Sequence, residues 1–121
     1  LTIARRIEME LKSRMENKAT VLSIVGAKPL VATESNTFRD KLEEVLVVGG
    51  MNYIVDFDEV TAIDSTGLCA LIGFYQRIRK VKGELILVGL KNSLRCTFSL
   101  TGLHQVFSIS ENVASAVCSV A

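Results

Sequence analysis

Among its 121 residues the chain has no tryptophan, one proline and one histidine. A zinc site needs several nitrogen and sulfur ligands at close spacing, and a serine nucleophile needs a positioned base. His104 alone supplies little of either, so no metal and no cofactor is expected. The three cysteines, Cys69, Cys96 and Cys118, are widely spaced and form no Cys-x-x-Cys pair. That excludes a disulfide framework and predicts small buried thiols in a reducing compartment. No apolar run approaches the roughly 18 residues of a membrane span. Arg5 and Arg6 are not followed by an apolar signal core, so no membrane insertion and a cytoplasmic location are expected. The net charge is only +1, which gives no broad basic field for nucleic acid. The chain starts at Leu1 rather than Met, as a processed chain or a piece of something longer would.

Hydrophobic residues make up 49% of the chain, enough for a core and too many for a disordered segment. Length predicts one domain over residues 1–121, with 1–6 as an N-terminal extension. Residues 7–16 alternate, with Ile7, Met9, Leu11 and Met15 on one face and charges on the other. This is the pattern of a half-exposed edge strand. Asn17-Lys18 reads as a hairpin turn, and residues 20–25 as a second strand ended by Gly26. A loop over 27–33 surrounds Pro29. Phe38, Leu42, Val45 and Leu46 then recur at helical spacing over 34–47, stopped by Gly49-Gly50. Residues 53–57 are a central strand, and Val60 and Ile63 of the following connection pack inward. A long helix runs to Lys82, with Leu68, Leu71, Ile72, Tyr75 and Ile78 on an apolar face that Ala70 and Phe74 widen. Arg77, Arg79, Lys80 and Lys82 crowd its end, opposite the negative pole of the helix. A strand over 84–88 follows, then a helix capped by Asn92 or Ser93, a short extended piece over 106–109, and a last helix capped by Ser110. The fold class is α/β, a mixed four- to five-stranded sheet with about four helices packed mainly on one face.

Candidate chemistry centres on Ile63-Asp64-Ser65-Thr66-Gly67-Leu68, where a strand passes into a helix. Asp64 suits an N-cap, and Ser65, Thr66 and Gly67 would then open the helix with unpartnered N–H groups. An anion placed there meets donors and the favourable end of the helix dipole. A phosphoryl group on Ser65 is one such anion, and a plain helix cap is the other reading of the same residues. Gly67 would let another surface approach closely. A hydrolase reading of Ser65 lacks a base and the Gly-x-Ser-x-Gly elbow. Strand 54–60 ends in Asp56-Phe57-Asp58-Glu59-Val60, similar to the first motif of haloacid-dehalogenase-type phosphatases. That chemistry needs further acids to hold Mg²⁺, and after Asp64 only Glu84 and Glu111 remain. No catalytic residue is therefore assigned.

The strand 53–57, the run Val60 to Leu68 with its Asp-Ser-x-Gly-Leu motif, the strand 84–88 and the segment Leu100-Thr101-Gly102-Leu103 together resemble a STAS domain of the anti-sigma factor antagonist type. The resemblance covers nearly the whole chain. It implies that Ser65 is the phosphorylation site, with Thr66 the competing acceptor. It also implies that the unphosphorylated protein binds an anti-sigma factor with serine kinase activity and frees a sigma factor; a monomer, or a weak dimer through the exposed first strand, is expected. A serine phosphatase would reverse the mark. The implied partner-binding residues are Asp64, Ser65, Thr66, Gly67, Leu68, Leu30 and Val31. STAS domains also serve as modules of stressosome, lipid-transport and anion-transporter systems, which is the alternative function. Where the family often carries Gly-x-Leu-Asp after the second strand, this chain has Val31 at the place of the acid, and Glu34 is the nearest acid beyond.

Overall fold

The computed structural model describes residues 9–26 and 29–120. The proposed extension over 1–6, Ile7 at the head of the alternating segment, and Ala27-Lys28 lie outside the described residues. Strand β1 (Glu10–Glu16) turns through Asn17, whose φ is 54°, into β2 (Ala19–Val25). After β3 (Pro29–Leu30) comes helix α1 (Thr33–Val48). Strands β4 (Asn52–Asp56) and β5 (Ala62–Ile63) precede helix α2 (Ser65–Lys80). The chain ends with β6 (Glu84–Val88), α3 (Asn92–Leu100), a 3-10 turn (Leu103–Gln105), β7 (Ser108–Ser110) and α4 (Val113–Ser119).

Five strands form one mixed sheet in the order β1-β2-β4-β6-β7. β1 is antiparallel to β2, and the other neighbours are parallel. The alternation of each strand divides its residues between two cores. Leu22, Tyr53, Val55, Leu85 and Leu87 face the larger one, against Phe38 and Leu42 of α1, Leu71, Phe74 and Ile78 of α2, and Leu94 and Phe98 of α3. Val21, Ile54, Ile86 and Val88 face the smaller one, which Ala116 and Val117 of α4 cover. Three helices on one face and one on the other explain why β4 reads as a nearly unbroken apolar run. Among the described residues no helix is long and apolar enough to cross a membrane.

Several expectations are corrected. All three cysteines are exposed. Each stands two residues from a buried neighbour on its helix, Cys69 from Leu71, Cys96 from Leu94 and Phe98, and Cys118 from Ala116, which turns it about 200° away from the core. On α2 Leu71, Phe74 and Ile78 of the expected face are buried together with Gly67, while Leu68, Ala70, Ile72 and Tyr75 pack half-buried against the core, and the helix ends at Lys80 rather than Lys82. Asn92 and Ser93 lie inside α3, whose N-cap is Lys91, and Ser93 Oγ instead donates to the Thr61 carbonyl at 2.6 Å. Asn112, not Ser110, caps α4, its side chain accepting from the Ser115 N–H, because Ser110 is taken into β7. The loop around Pro29 contains a strand, β3, which pairs in parallel with β5 in a separate two-stranded sheet. Met15 is exposed, whereas Met9 is buried in the larger core and Leu11 packs against it.

Candidate functional site

The β3–β5 pair fixes the entry to α2. Ile63 is buried, and the Asp64 N–H donates to the Leu30 carbonyl at 3.1 Å, so the chain leaves the sheet edge in a set direction. Asp64 is extended (φ −92°, ψ 178°) and caps the helix, with Oδ1 accepting from the Gly67 N–H at 2.9 Å. The same oxygen accepts from Ser35 Oγ at 2.6 Å, and Oδ2 accepts from the Ala32 N–H at 2.8 Å. One carboxylate therefore ties together the loop before α1, the first turn of α1 and the first turn of α2. These three donors, the Ser35 hydroxyl foremost and then the Gly67 and Ala32 amides, hold the Asp64 carboxyl below its ordinary value.

Ser35 is the one buried polar side chain among the described core residues. Its hydroxyl also lies 3.0 Å from the Leu30 carbonyl. A hydroxyl has a single proton, and the shorter contact to the charged carboxylate takes the larger share of it. Ala32 has φ 54° and ψ −119°, a conformation L residues rarely adopt. The residue whose N–H meets Asp64 is thus also one with a strained backbone.

Ser65 and Thr66 are exposed at the start of α2, while Asp64, Leu68 and Val31 are half-buried. Leu30 and Gly67 are buried, so neither presents a side chain to a partner. Leu30 fills the core beneath the turn. At Gly67 the close approach is internal: an added Cβ would stand 2.7 Å from Ile63 Cγ1 and 3.3 Å from Ser35 Oγ. The absence of a side chain serves the seating of α2 rather than an outside surface. Glu34, half-buried on α1, is one residue from Ser35 but is not part of the Asp64 clasp.

Other candidates stay apart from Ser65. His104 sits in the 3-10 turn, with Nδ1 3.3 Å from the Phe98 carbonyl. Asp56 Oδ1 accepts from the Asp58 N–H at 2.9 Å, a local turn bond. Among the described residues no cluster of acids, histidines and cysteines is placed to hold a metal ion. Sequence reasoning missed Ser35 and Ala32. Ser35 had a signal: it precedes Phe38 by three and Leu42 by seven, which puts a polar residue on an apolar stripe.

A family model described as STAS domain matches residues 7–116. The chain belongs to the STAS domain family. An anti-sigma-B factor antagonist of Listeria monocytogenes is 31% identical over 103 residues, covering 85% of this chain and 88% of that one. Among solved structures, an anti-sigma factor antagonist from Mycobacterium paratuberculosis superposes with a TM-score of 0.82 at 19% identity, over 98% of both chains. The anti-sigma factor antagonist SpoIIAA in its unphosphorylated form superposes with a TM-score of 0.75 at 20% identity, over 92% of this chain and 96% of the other. At these identities the superpositions establish the fold.

Proposed function

We propose that this STAS protein is an anti-sigma factor antagonist that is switched by phosphorylation of Ser65. The observation that carries the reading is an exposed Ser65 at a helix start whose geometry is already fixed by Asp64. The similarity to the Listeria antagonist over most of both chains supports it. The chain is a substrate and a binding surface rather than a catalyst. Unphosphorylated, it docks onto an anti-sigma factor with serine kinase activity in the cytoplasm and so releases a sigma factor. The kinase transfers the γ-phosphoryl group of ATP to Ser65 Oγ, ADP leaves, and the hydroxyl proton passes to a base of the kinase. A serine phosphatase restores the binding form.

The local physics fits a switch of binding and not of fold. A phosphate adds about −1.5 to −2 charges. The free N–H groups and the positive end of α2 tolerate that charge within the protein. A docked partner must strip water from it and meets Asp64 beside it, which opposes association. The test is incubation with ATP and the organism's anti-sigma serine kinases, followed by peptide mass spectrometry. Phosphate is expected on Ser65 and absent from Ser65→Ala, and Ser65→Asp should bind the kinase at least about tenfold more weakly. Phosphate on Thr66 instead, or unchanged binding by Ser65→Asp, would remove the reading.

A further inference from the structure

A groove of roughly 920 Å³ runs from Ser65 and Thr66 along the seam between α1 and α2 as far as Lys80. Leu42, Leu46, Ala70 and Phe74 give it an apolar floor. Its charged lining is Arg39, Arg77, Arg79 and Lys80 against a single carboxylate, Glu43, which is already engaged by Arg77 at 3.1 Å, and Arg39 pairs at 3.6 Å with the exposed Asp40 outside the lining. The groove is therefore cationic in a chain whose net charge is only +1. Gly73 lies in the same wall, and a Cβ built on it meets no heavy atom within 4 Å. Glycine inside a helix is less favourable than alanine, and no internal contact requires it here.

We propose that this groove receives an amphipathic helix of the anti-sigma kinase that carries acidic residues beside its apolar stripe. The apolar side chains lie over the half-buried Leu46 and Ala70, above the buried Leu42 and Phe74, and the carboxylates meet Arg39, Arg79 and Lys80. The inference rests on the function proposed above and adds the chemistry of the docking element. Charge complementarity selects an acidic occupant. The concave floor between two helices selects a helix rather than a flat anionic bilayer, which cannot enter it. Because Ser65 and Thr66 line the same groove, a phosphate on Ser65 places its own anion among these cations. The phosphorylated protein then competes in cis with the carboxylates of the partner.

The kinase identified by Ser65 phosphorylation serves as the probe, with binding measured by titration calorimetry at low and high salt. Gly73→Leu fills the groove from within and should keep the parent Tm or exceed it. Its affinity should fall on the order of tenfold or more. The pair Arg39→Glu and Lys80→Glu, both at exposed positions, should weaken binding by a similar factor and flatten its salt dependence. Parent-like affinity in the charge-reversed protein, or in a folded Gly73→Leu, overturns the groove while leaving the Ser65 switch intact if Ser65→Asp still fails to bind. Unchanged binding by Ser65→Asp together with loss in the groove variants removes the switch and keeps the groove. Salt-sensitive attachment to phosphatidylglycerol vesicles, lost in the charge-reversed protein while kinase binding is not, would also overturn the proposal. A parent with no affinity for the kinase overturns both readings.

Discussion

Asp64 carries more than a cap. Its carboxylate accepts from Ala32, Ser35 and Gly67, so its removal frees two helix starts and a loop at once. Asp64→Ala is expected to lose about 1–2 kcal/mol at neutral pH in denaturant unfolding, at the upper end of cap substitutions. The folded pKa of this carboxyl lies below its unfolded value. Its stabilisation is therefore full above the ordinary carboxylate range and fades as pH falls through that range toward the folded value. The parent should lose more stability than Asp64→Asn when Tm is followed from pH 7 down to about pH 3. Ala32 argues in the other direction. Its positive φ costs about 1–3 kcal/mol, while glycine brings a chain-entropy penalty of roughly 0.5–1 kcal/mol. Ala32→Gly should thus raise Tm, and a lowered Tm would show that the left-handed conformation is not strained. The Asp64 cap and the helix start at Ser65 were legible in the sequence because cap chemistry is local. Ala32 was not, because its partner is a carboxylate 32 residues away and alanine carries no signal for a positive φ.

The elements found from periodicity are those with enough length to show it. The α2 helix and the apolar runs of β4 and β6 were readable, since burial on one face or both leaves a repeating mark. The two-residue strands β3 and β5 were not, because their hydrogen bonds depend on pairing between distant segments and two residues have no period. The caps of α3 and α4 were misplaced by one or two residues, where several small polar residues compete for one role. The α4 helix is short, yet it alone among the described helices covers the smaller core over Val21, Ile54, Ile86 and Val88. Ala116 is fully buried at the centre of that contact. An unpaired carboxylate there has no partner and must be desolvated. Ala116→Asp is expected to destabilise by several kcal/mol and to increase binding of an apolar dye, whereas Ser115→Asp on the exposed side should do neither.

The whole molecule separates the proposed phosphoacceptor from its core. Ser65 lies outside the sheet, and the strands it depends on, β3 and β5, form a sheet of their own. The far edge of the main sheet raises a separate question, because among the described residues β1 has a neighbour on one side only. An unpaired edge can pair with a second copy. The antiparallel register that matches all seven residues of β1 sets Ser13 opposite Ser13, Glu10 opposite Glu16, and Lys12 opposite Arg14. Each charged pair is then of like sign, directly opposed on the exposed face, and such pairs destabilise a ladder. Within one strand Arg14 instead satisfies Glu16 at 2.8 Å. The pattern thus disfavours self-association while each charge remains solvated. Exchanging two signs, Lys12→Glu with Glu16→Lys, converts both pairs to attractive ones without touching the core. Sedimentation equilibrium is expected to find the parent monomeric at concentrations where the double variant dimerises, with the dimer weakened by salt as opposed surface charges require. Equal association of the two proteins would show that the charges on β1 do not guard this edge.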